Sequence, residues 1–446
     1  MSQPGPASPA NPSAKHDPMA ALRQPSFQLY SVSRVFFAIA STLLTAAIAW
    51  QVYASSGSAL DLGLLGLARF LPSLGLGLVG GALADRYERK RIAIAGQAAV
   101  LGCAIVLFAF TSRGDPNEPL IYAMVLLVAV ASAFEWPARQ ALLVSVVTPE
   151  TFQNAITVSS TVQQLGFVTG PALAGGLIAI SGVGLAYFVL CILVTGSMLS
   201  LLALHPRPMD GPRRAVSVAA IKEGVAFVFH RQVLLGAMTL DLFAVVFGGA
   251  TALLPIYAKD ILHAGPVGYG LLSGSLDFGA LLMSVALVAL PPVQRPGRAL
   301  IGAVLGFGLG TVVFGLSRNF ALSLIAYMLI GIADQVSVVM RSTTVQLATP
   351  DELRGRVSSV NSLFVGASNQ VGQMESGFVA AATSATFAVV SGGIAALGVV
   401  GIVTAAMPEL RRYHTSSAIA FSTVPTTAEL ILEAVEEEES SAAAGG

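Results

Sequence analysis

The chemistry open to this sequence lies in a few ionisable side chains set inside long apolar runs: Arg34, Arg69, Glu135, Arg139, Asp241, Asp277, Asp334, Arg341 and Glu375. A charge in a hydrocarbon medium is costly, so each of these marks a pairing or proton-exchange role by default. Glu135 and Arg139 stand four apart and can neutralise each other along one helix face, which serves packing as well as function. Asp334 and Arg341 are two turns apart and meet only through long side chains. Asp241 has no basic neighbour within a turn, and a carboxylate so placed is suited to exchange a proton near neutral pH, with a protonated, hydrogen-bonded packing residue as the alternative. Proton coupling is therefore assigned first to Asp241, with Glu135 and Asp334 as further candidates. Enzymatic constellations are absent. The five His are scattered through tails and loops, no metal-ligand spacing occurs, and the Gly-rich stretches lack a phosphate-cradling Gly-Lys-Ser/Thr element. No cofactor, no metal and no nucleotide-driven step is expected, so any work done must draw on an ion or solute gradient.

The elements that position these groups are membrane helices. With 54% apolar residues, 11% charged residues and a mean hydropathy of +0.76, the chain lies far from soluble composition, in which charged residues are nearer a quarter. A helix needs about 20 apolar residues to cross the hydrocarbon layer. Runs of that kind fall at 35–53, 60–84, 92–110, 120–147, 155–180 and 184–204, and again at 234–256, 269–291, 299–316, 320–340, 357–382 and 387–407. The expected fold is all-α, with twelve transmembrane helices in two six-helix halves. The domain reading is a disordered Pro/Ala/Ser-rich tail at 1–25, an N-terminal half at 26–204, and a central loop at 205–232 with a surface amphipathic helix at 216–229. A C-terminal half at 233–407 and an acidic tail at 408–446 complete it. Cys103 and Cys191 lie in different helices and are expected as free thiols.

Lys and Arg collect in the links after the second, fourth, eighth and tenth helices, in the central loop and at both termini, whereas the opposite links hold only Arg113, Lys259 and Arg318. Cytoplasmic loops accumulate basic residues, so both termini are expected on the cytoplasmic side of the plasma membrane. The halves echo one another. Thr148-Pro149-Glu150 recurs as Thr349-Pro350-Asp351 with Gly176 matching Gly377, and Tyr53-Ala54 followed by Gly63-Leu64-Leu65 recurs as Tyr257-Ala258 followed by Gly270-Leu271-Leu272. Parallel repeats about an axis along the membrane normal give such a pattern.

The densest charge lies between the second and third helices, where the chain reads GGALADRYERKR from Gly80 to Arg91. A Gly, three residues, Asp-Arg and a basic cluster, here Gly81, Asp85, Arg86, Arg89 and Lys90, resemble the signature of the major facilitator superfamily. Glu88 stands where that family has a second Gly, and DRYERK is similar to the subgroup of the enterobactin exporter and related secretion effectors. The Gly355-Arg356-Val357 stretch opening the eleventh helix resembles the same family. Gly166, Gly170-Pro171 and Gly175-Gly176 are spaced near four residues and are expected on one face of the fifth helix; they resemble the Gly-Pro motif of superfamily antiporters. GPALAGG carries one residue more between the Pro and the Gly pair than that motif.

The resemblance implies that helices 1, 4, 7 and 10 line a central cavity while helices 2 and 11 meet between the halves. Arg34, Trp136 and Arg139 are then substrate-cavity residues, beside Glu135, Asp241 and Asp334. Gly81, Asp85, Arg86, Arg89, Glu150 and Arg356 form a conformational switch on one side, with Asp85 holding the start of helix 11 and Arg89 reaching Glu150. Arg69 and Glu375, at nearby depths, are expected to pair on the other. The function expected is proton-coupled export of a small amphiphilic compound, siderophore or drug-like, by a monomer working by alternating access. An importer or lipid carrier on the same fold, and a non-transporting sensor or scaffold, are the alternatives.

Asp85→Asn is expected to favour the state open to the basic side and to slow turnover more than it weakens substrate binding. Spin labels on the basic ends of helices 2 and 11 measure this, and an unchanged distance distribution would leave Asp85 a local loop residue.

Overall fold

A computed structural model gives the fold and describes residues 20–86, 88–114, 117–207, 225–291 and 293–413, with the backbone alone at 73–75, 77–86, 351, 352, 359 and 363. The first half contains α1 (Pro25–Ser56), α2 (Ala59–Arg86), α3 (Arg89–Ser112), α4 (Glu118–Val146), α5 (Phe152–Ser181) and α6 (Val183–Ala203). The second contains α7 (Gln232–Ile261), α8 (Gly265–Ala289), α9 (Pro296–Leu316), α10 (Phe320–Leu347), α11 (Asp351–Ala382) and α12 (Ala385–Ala406). Ten of these are long and apolar enough to cross a membrane, counted over the described residues. A chain in hydrocarbon must satisfy its backbone groups within each segment, which leaves helices as the economical answer to such apolar runs. Their ends carry local signals. The side chains of Asn117, Asn319 and Ser384 accept from the N–H groups of Leu120, Leu322 and Phe387, each at 3.1 Å, opening α4, α10 and α12. Gly57, at φ 64°, closes α1 in the left-handed region that an L side chain resists.

Packing repeats six helices on. In the first half α1 lies against α5 and α6, α4 against α2 and α3, and α3 against α6; in the second α7 lies against α11 and α12, α10 against α8 and α9, and α9 against α12. Asn117 and Asn319, which cap α4 and α10, occupy equivalent places in this repeat. The halves meet along α2–α11 and α5–α8. Arg89, Lys90, Arg91, Arg207, Arg231, Arg295, Arg298, Arg354 and Arg356 gather at one end of the bundle, the basic end; the other is the far end.

Toward the far end the halves touch backbone to backbone. A Cβ on Gly377 would meet the Cα and N of Gly63, and a Cβ on Gly175 would meet Pro266 and the backbone of Gly270. The seams are related by the repeat, α2 with α11 and α8 with α5, so the matched Gly63 and Gly270 serve matched contacts. Gly175 occupies the seam, and nothing would lie within 4 Å of a Cβ on Gly176. The expectation that the α5 glycines share one face is corrected. Gly166 and Gly170 face Ala38, Ile39 and Thr42 of α1, so the α5 glycines divide between two partners. Gly175 stands five positions beyond Gly170, and at about 100° per residue that carries it well round the helix.

α7 also departs from an uninterrupted span. Its helix runs Gln232–Phe247, breaks at Gly248 and Gly249, resumes over Ala250–Ile256 and ends in a π-helical turn, Tyr257–Ile261. Of the amphipathic helix expected at 216–229, residues 225–229 are helical, and Val228 packs with Leu234, Met238, Val345, Val357 and Val360; 216–224 lie outside the described residues. The tail readings fall largely outside them as well. Cys103 and Cys191 are free.

Gly377→Val is expected to part α2 from α11 at the far end, because neither glycine backbone can yield to a branched side chain. Distances between spin labels on the far ends of these two helices should lengthen and broaden, while an unchanged distribution would show that the seam is not held by this approach.

Candidate functional site

α1, α4 and α5 bring together the buried charges of the first half. Arg139 reaches Oε1 of Glu135 with Nε and Nη2, both at 2.5 Å, and its guanidinium lies 4.7 Å from the centroid of the Phe37 ring. Glu135 and Arg139 are 2% and 3% exposed, so the pair is sealed within the half as the i,i+4 spacing led one to expect. Arg34, also buried, donates to the carbonyl of Ser159 at 3.0 Å, the hydroxyl of Tyr30 at 3.3 Å and Oε1 of Gln163 at 2.5 Å. It ties α1 to α5. Trp136 is 49% exposed and does not line the cavity described below.

In the second half Asp241 of α7 is not alone. Its Oδ1 lies 3.1 Å from Nε of Arg341 on α10, with both side chains nearly inaccessible, and Nη1 of Arg341 donates to Asn361 on α11. This corrects the reading of Asp241 as unpaired, since intrahelical spacing reveals partners only on the same helix. Asp334 and Asp277 lie close enough to act electrostatically on this cluster. Asp241 and Arg341 are buried and Asp334 and Asp277 part-exposed nearby, so a change in the charge of the pair is felt by its acidic neighbours.

Between α1, α2, α3 and α4 lies a cavity of about 320 Å³ that Gln370 of α11 also lines. Ser41, Thr45, Arg69 and Ser132 supply its polar groups; Phe37, Leu44, Val100 and Val128 are among its apolar walls.

The far end is closed by aromatic and polar contacts between α1 and the second half. The Tyr53 hydroxyl donates to Asp260, Lys259 lies 5.4 Å from the Tyr53 ring centroid, Trp50 and Tyr269 rings are 5.4 Å apart, and the Tyr269 hydroxyl donates to the carbonyl of Ala46 at 3.2 Å. Arg69 donates to Oε1 of Gln373 at 3.4 Å, whereas Glu375 accepts from Ser376 at 3.2 Å, so the expected Arg69–Glu375 pair is not formed. Similar depth was its only warrant, and two residues along a helix turn a side chain through roughly 200°. Among the described residues α4 does not pack extensively against α10 or α11. At the basic end Arg89 donates to the carbonyl of Ala141 at 2.9 Å, within its own half. Glu150 lies in the 3-10 turn Pro149–Thr151 before α5, and Arg356 in the opening turns of α11. The side chains of Gly81, Asp85 and Arg86 lie outside the described residues.

Residues 16–438 match the model of a family described as transmembrane secretion effector. The chain belongs to that family. Curated relatives include the enterobactin exporter EntS of Citrobacter koseri, 26% identical over 343 residues that cover 75% of this chain and 80% of that protein. EntS of Shigella dysenteriae is likewise 26% identical over 344 residues, with the same coverage. Solved structures with the same fold include the nucleoside transporter NupG, with a TM-score of 0.64 and 14% identity over 85% of this chain and 98% of that one. A bacterial homologue of the human lysosomal transporter Spinster, in an inward-facing and unoccupied conformation, has a TM-score of 0.60 and 14% identity over 92% of this chain and 99% of that one. The fold is that of the major facilitator superfamily, and this secretion effector is a multi-pass membrane transporter of small molecules, not an enzyme.

Sequence reasoning missed the far-end closure of the transporter. Tyr53 and Asp260 each flank a turn, and neither offers a spacing that joins them. Arg341 was noticed as a buried cation, but its partner Asp241 lies on another helix.

Glu135→Gln leaves the buried Arg139 uncompensated, a loss of about 3–5 kcal/mol where a buried pair is broken. The melting temperature of the purified transporter is expected to fall in Glu135→Gln and to recover largely when Arg139→Leu is added. A double variant no more stable than the single one would show that Glu135 acts apart from Arg139.

Proposed function

We propose that this transporter exports a small amphiphilic organic compound, siderophore-like or drug-like, in exchange for protons by alternating access. The observation that carries the reading is the buried Asp241–Arg341 pair, 3.1 Å apart, which joins α7 to α10. Protonating Asp241 cancels the attraction that holds these helices in register and frees Arg341, so proton binding shifts the balance between two arrangements of the half. Glu135, paired with Arg139 on its own helix, and Asp334, seven residues before Arg341 on α10, are the further members of the coupling set.

The remaining parts fit that scheme. A far end closed by Tyr53, Asp260 and the glycine seams, with α4 apart from α10 and α11, corresponds to a conformer open toward the basic end. Basic loops face the cytoplasm, so that opening is the loading side for export from a bacterial cell across its inner membrane, with both termini cytoplasmic. The cavity walls suit an amphiphile, being mainly apolar with a few polar groups. Enterobactin exporters among the relatives favour a siderophore over other cargo. The switch residues Asp85, Arg89, Glu150 and Arg356 stand at the end that must close when the far end opens. The transporter acts as a monomer, each chain holding both halves.

Asp241→Asn is expected to abolish substrate efflux driven by a pH gradient in reconstituted vesicles while leaving insertion and folding intact; Asp241→Glu should retain part of it. A variant that still builds the full substrate gradient would remove Asp241 from the coupling path and leave Glu135 as the next candidate.

A further inference from the structure

Among the described residues the buried arginines Arg34, Arg139 and Arg341 are matched. Arg139 has Glu135, Arg341 has Asp241, and Arg34 has a carbonyl, a phenol and an amide oxygen. Arg69 differs. Among the described residues it forms no ion pair, and its hydrogen bond to the neutral Gln373 is long, at 3.4 Å. It lines the cavity between α1, α2 and α4 with Ser41, Thr45, Ser132 and Gln370. The Ser41 and Thr45 hydroxyls donate back to the carbonyls of Phe37 and Ser41, at 2.8 and 3.0 Å, so they offer acceptor lone pairs rather than protons. The donors left to face a guest are the Ser132 hydroxyl, the Gln370 amide and Arg69, the one cation lining the cavity among the described residues, whose guanidinium carries five N–H groups in a planar fork.

Arg69 is half-buried at the cavity wall and has no carboxylate partner among the described residues, so an anion entering the cavity supplies the pairing it lacks. We propose that Arg69 is the recognition group for the exported compound, and that the compound is a compact organic acid, a carboxylate or acidic phenol on an apolar ring-sized body. The fork matches a carboxylate with two parallel N–H bonds, which a lone ammonium does not reproduce. The volume, about 320 Å³, lies at the lower end of the roughly 300–1,000 Å³ of ligand pockets, which sets the size. Phe37 and Val128 receive the body of the molecule while its acid meets Arg69. The inference rests on the export reading for the guest being cargo, but occupancy of the site needs no proton gradient.

The test is equilibrium binding to the full-length protein in lipid nanodiscs, without a pH gradient, of labelled naphthoate and of its neutral amide, naphthamide. The wild type is expected to bind naphthoate saturably and to prefer it by about tenfold or more, as a charge-assisted pair requires. Arg69→Gln should erase the preference, Arg69→Lys should keep a reduced one, and Gln373→Ala should leave it intact. Absence of acid preference in the wild type, or a preference that survives Arg69→Gln, overturns the proposal. Loss of preference in Gln373→Ala to the same extent as in Arg69→Gln also overturns it, because Arg69 would then act through the α2–α11 seam. Should Arg69→Gln fail to fold, Ser132→Phe, which fills the same cavity, has to remove binding of both ligands, and retained binding overturns the assignment of the site. Intact acid preference with no efflux under a pH gradient would count against proton coupling alone and leave this site standing.

Discussion

Two pairs of glycines, Gly63 with Gly377 and Gly175 with Gly270, hold the arrangement of the molecule together. Lipid gives helices no hydrophobic reason to associate, so contact between them depends on close approach and the dispersion it allows. At these two places the halves come near enough for backbone to touch backbone. Everything else at the far end, from the Trp50–Tyr269 rings to the Tyr53–Asp260 bond, lies in the space those approaches bring together. The two contacts are copies of one another under the internal repeat. A seal made of bare backbone has no rotamers to rearrange, so it can part and re-form as one rigid surface leaving another.

The buried charges divide by what can disturb them. Glu135 and Arg139 ride on one helix, and no rigid movement of α4 alters their separation. Asp241 and Arg341 sit on different helices, so their separation changes whenever α7 shifts against α10, with Asn361 of α11 joined to the same guanidinium. The first pair is therefore indifferent to conformation and the second is sensitive to it. Arg34 belongs with the first kind in effect, because its partners on α1 and α5 sit in one half.

Much of this was legible in the sequence because the bilayer simplifies the code. Twelve apolar runs gave twelve helices, and the echo of Gly63-Leu64-Leu65 in Gly270-Leu271-Leu272 pointed to residues that meet equivalent partners. The Glu135–Arg139 pair was legible because both ends lie one turn apart. What escaped notice required a second helix. The partner of Asp241 is remote in the chain, and Arg69 and Glu375 were matched by depth without regard to azimuth. Trp136 was drawn to the cavity by its neighbour Glu135, yet in an apolar helix the sequence does not distinguish a face turned to lipid from one turned inward. The break in α7 had its signal in Gly248-Gly249, hidden because the flanking residues are apolar enough to read as one span.

That break makes α7 an elbow. Its ladder runs regularly as far as Gly248, which donates to Ala244 at 2.8 Å, and is interrupted just beyond, where Ala250 donates only two residues back, to Gly248 at 2.7 Å. The hydrogen bonds that bending a continuous helix would rupture are already absent there, so the joint is compliant while the arms on either side stay stiff. One arm bears Asp241, the other Lys259 and Asp260. The two arms can thus keep separate schedules, one following the bound proton and the other the opening to the far side, with a two-residue joint deciding how much of either movement the other feels.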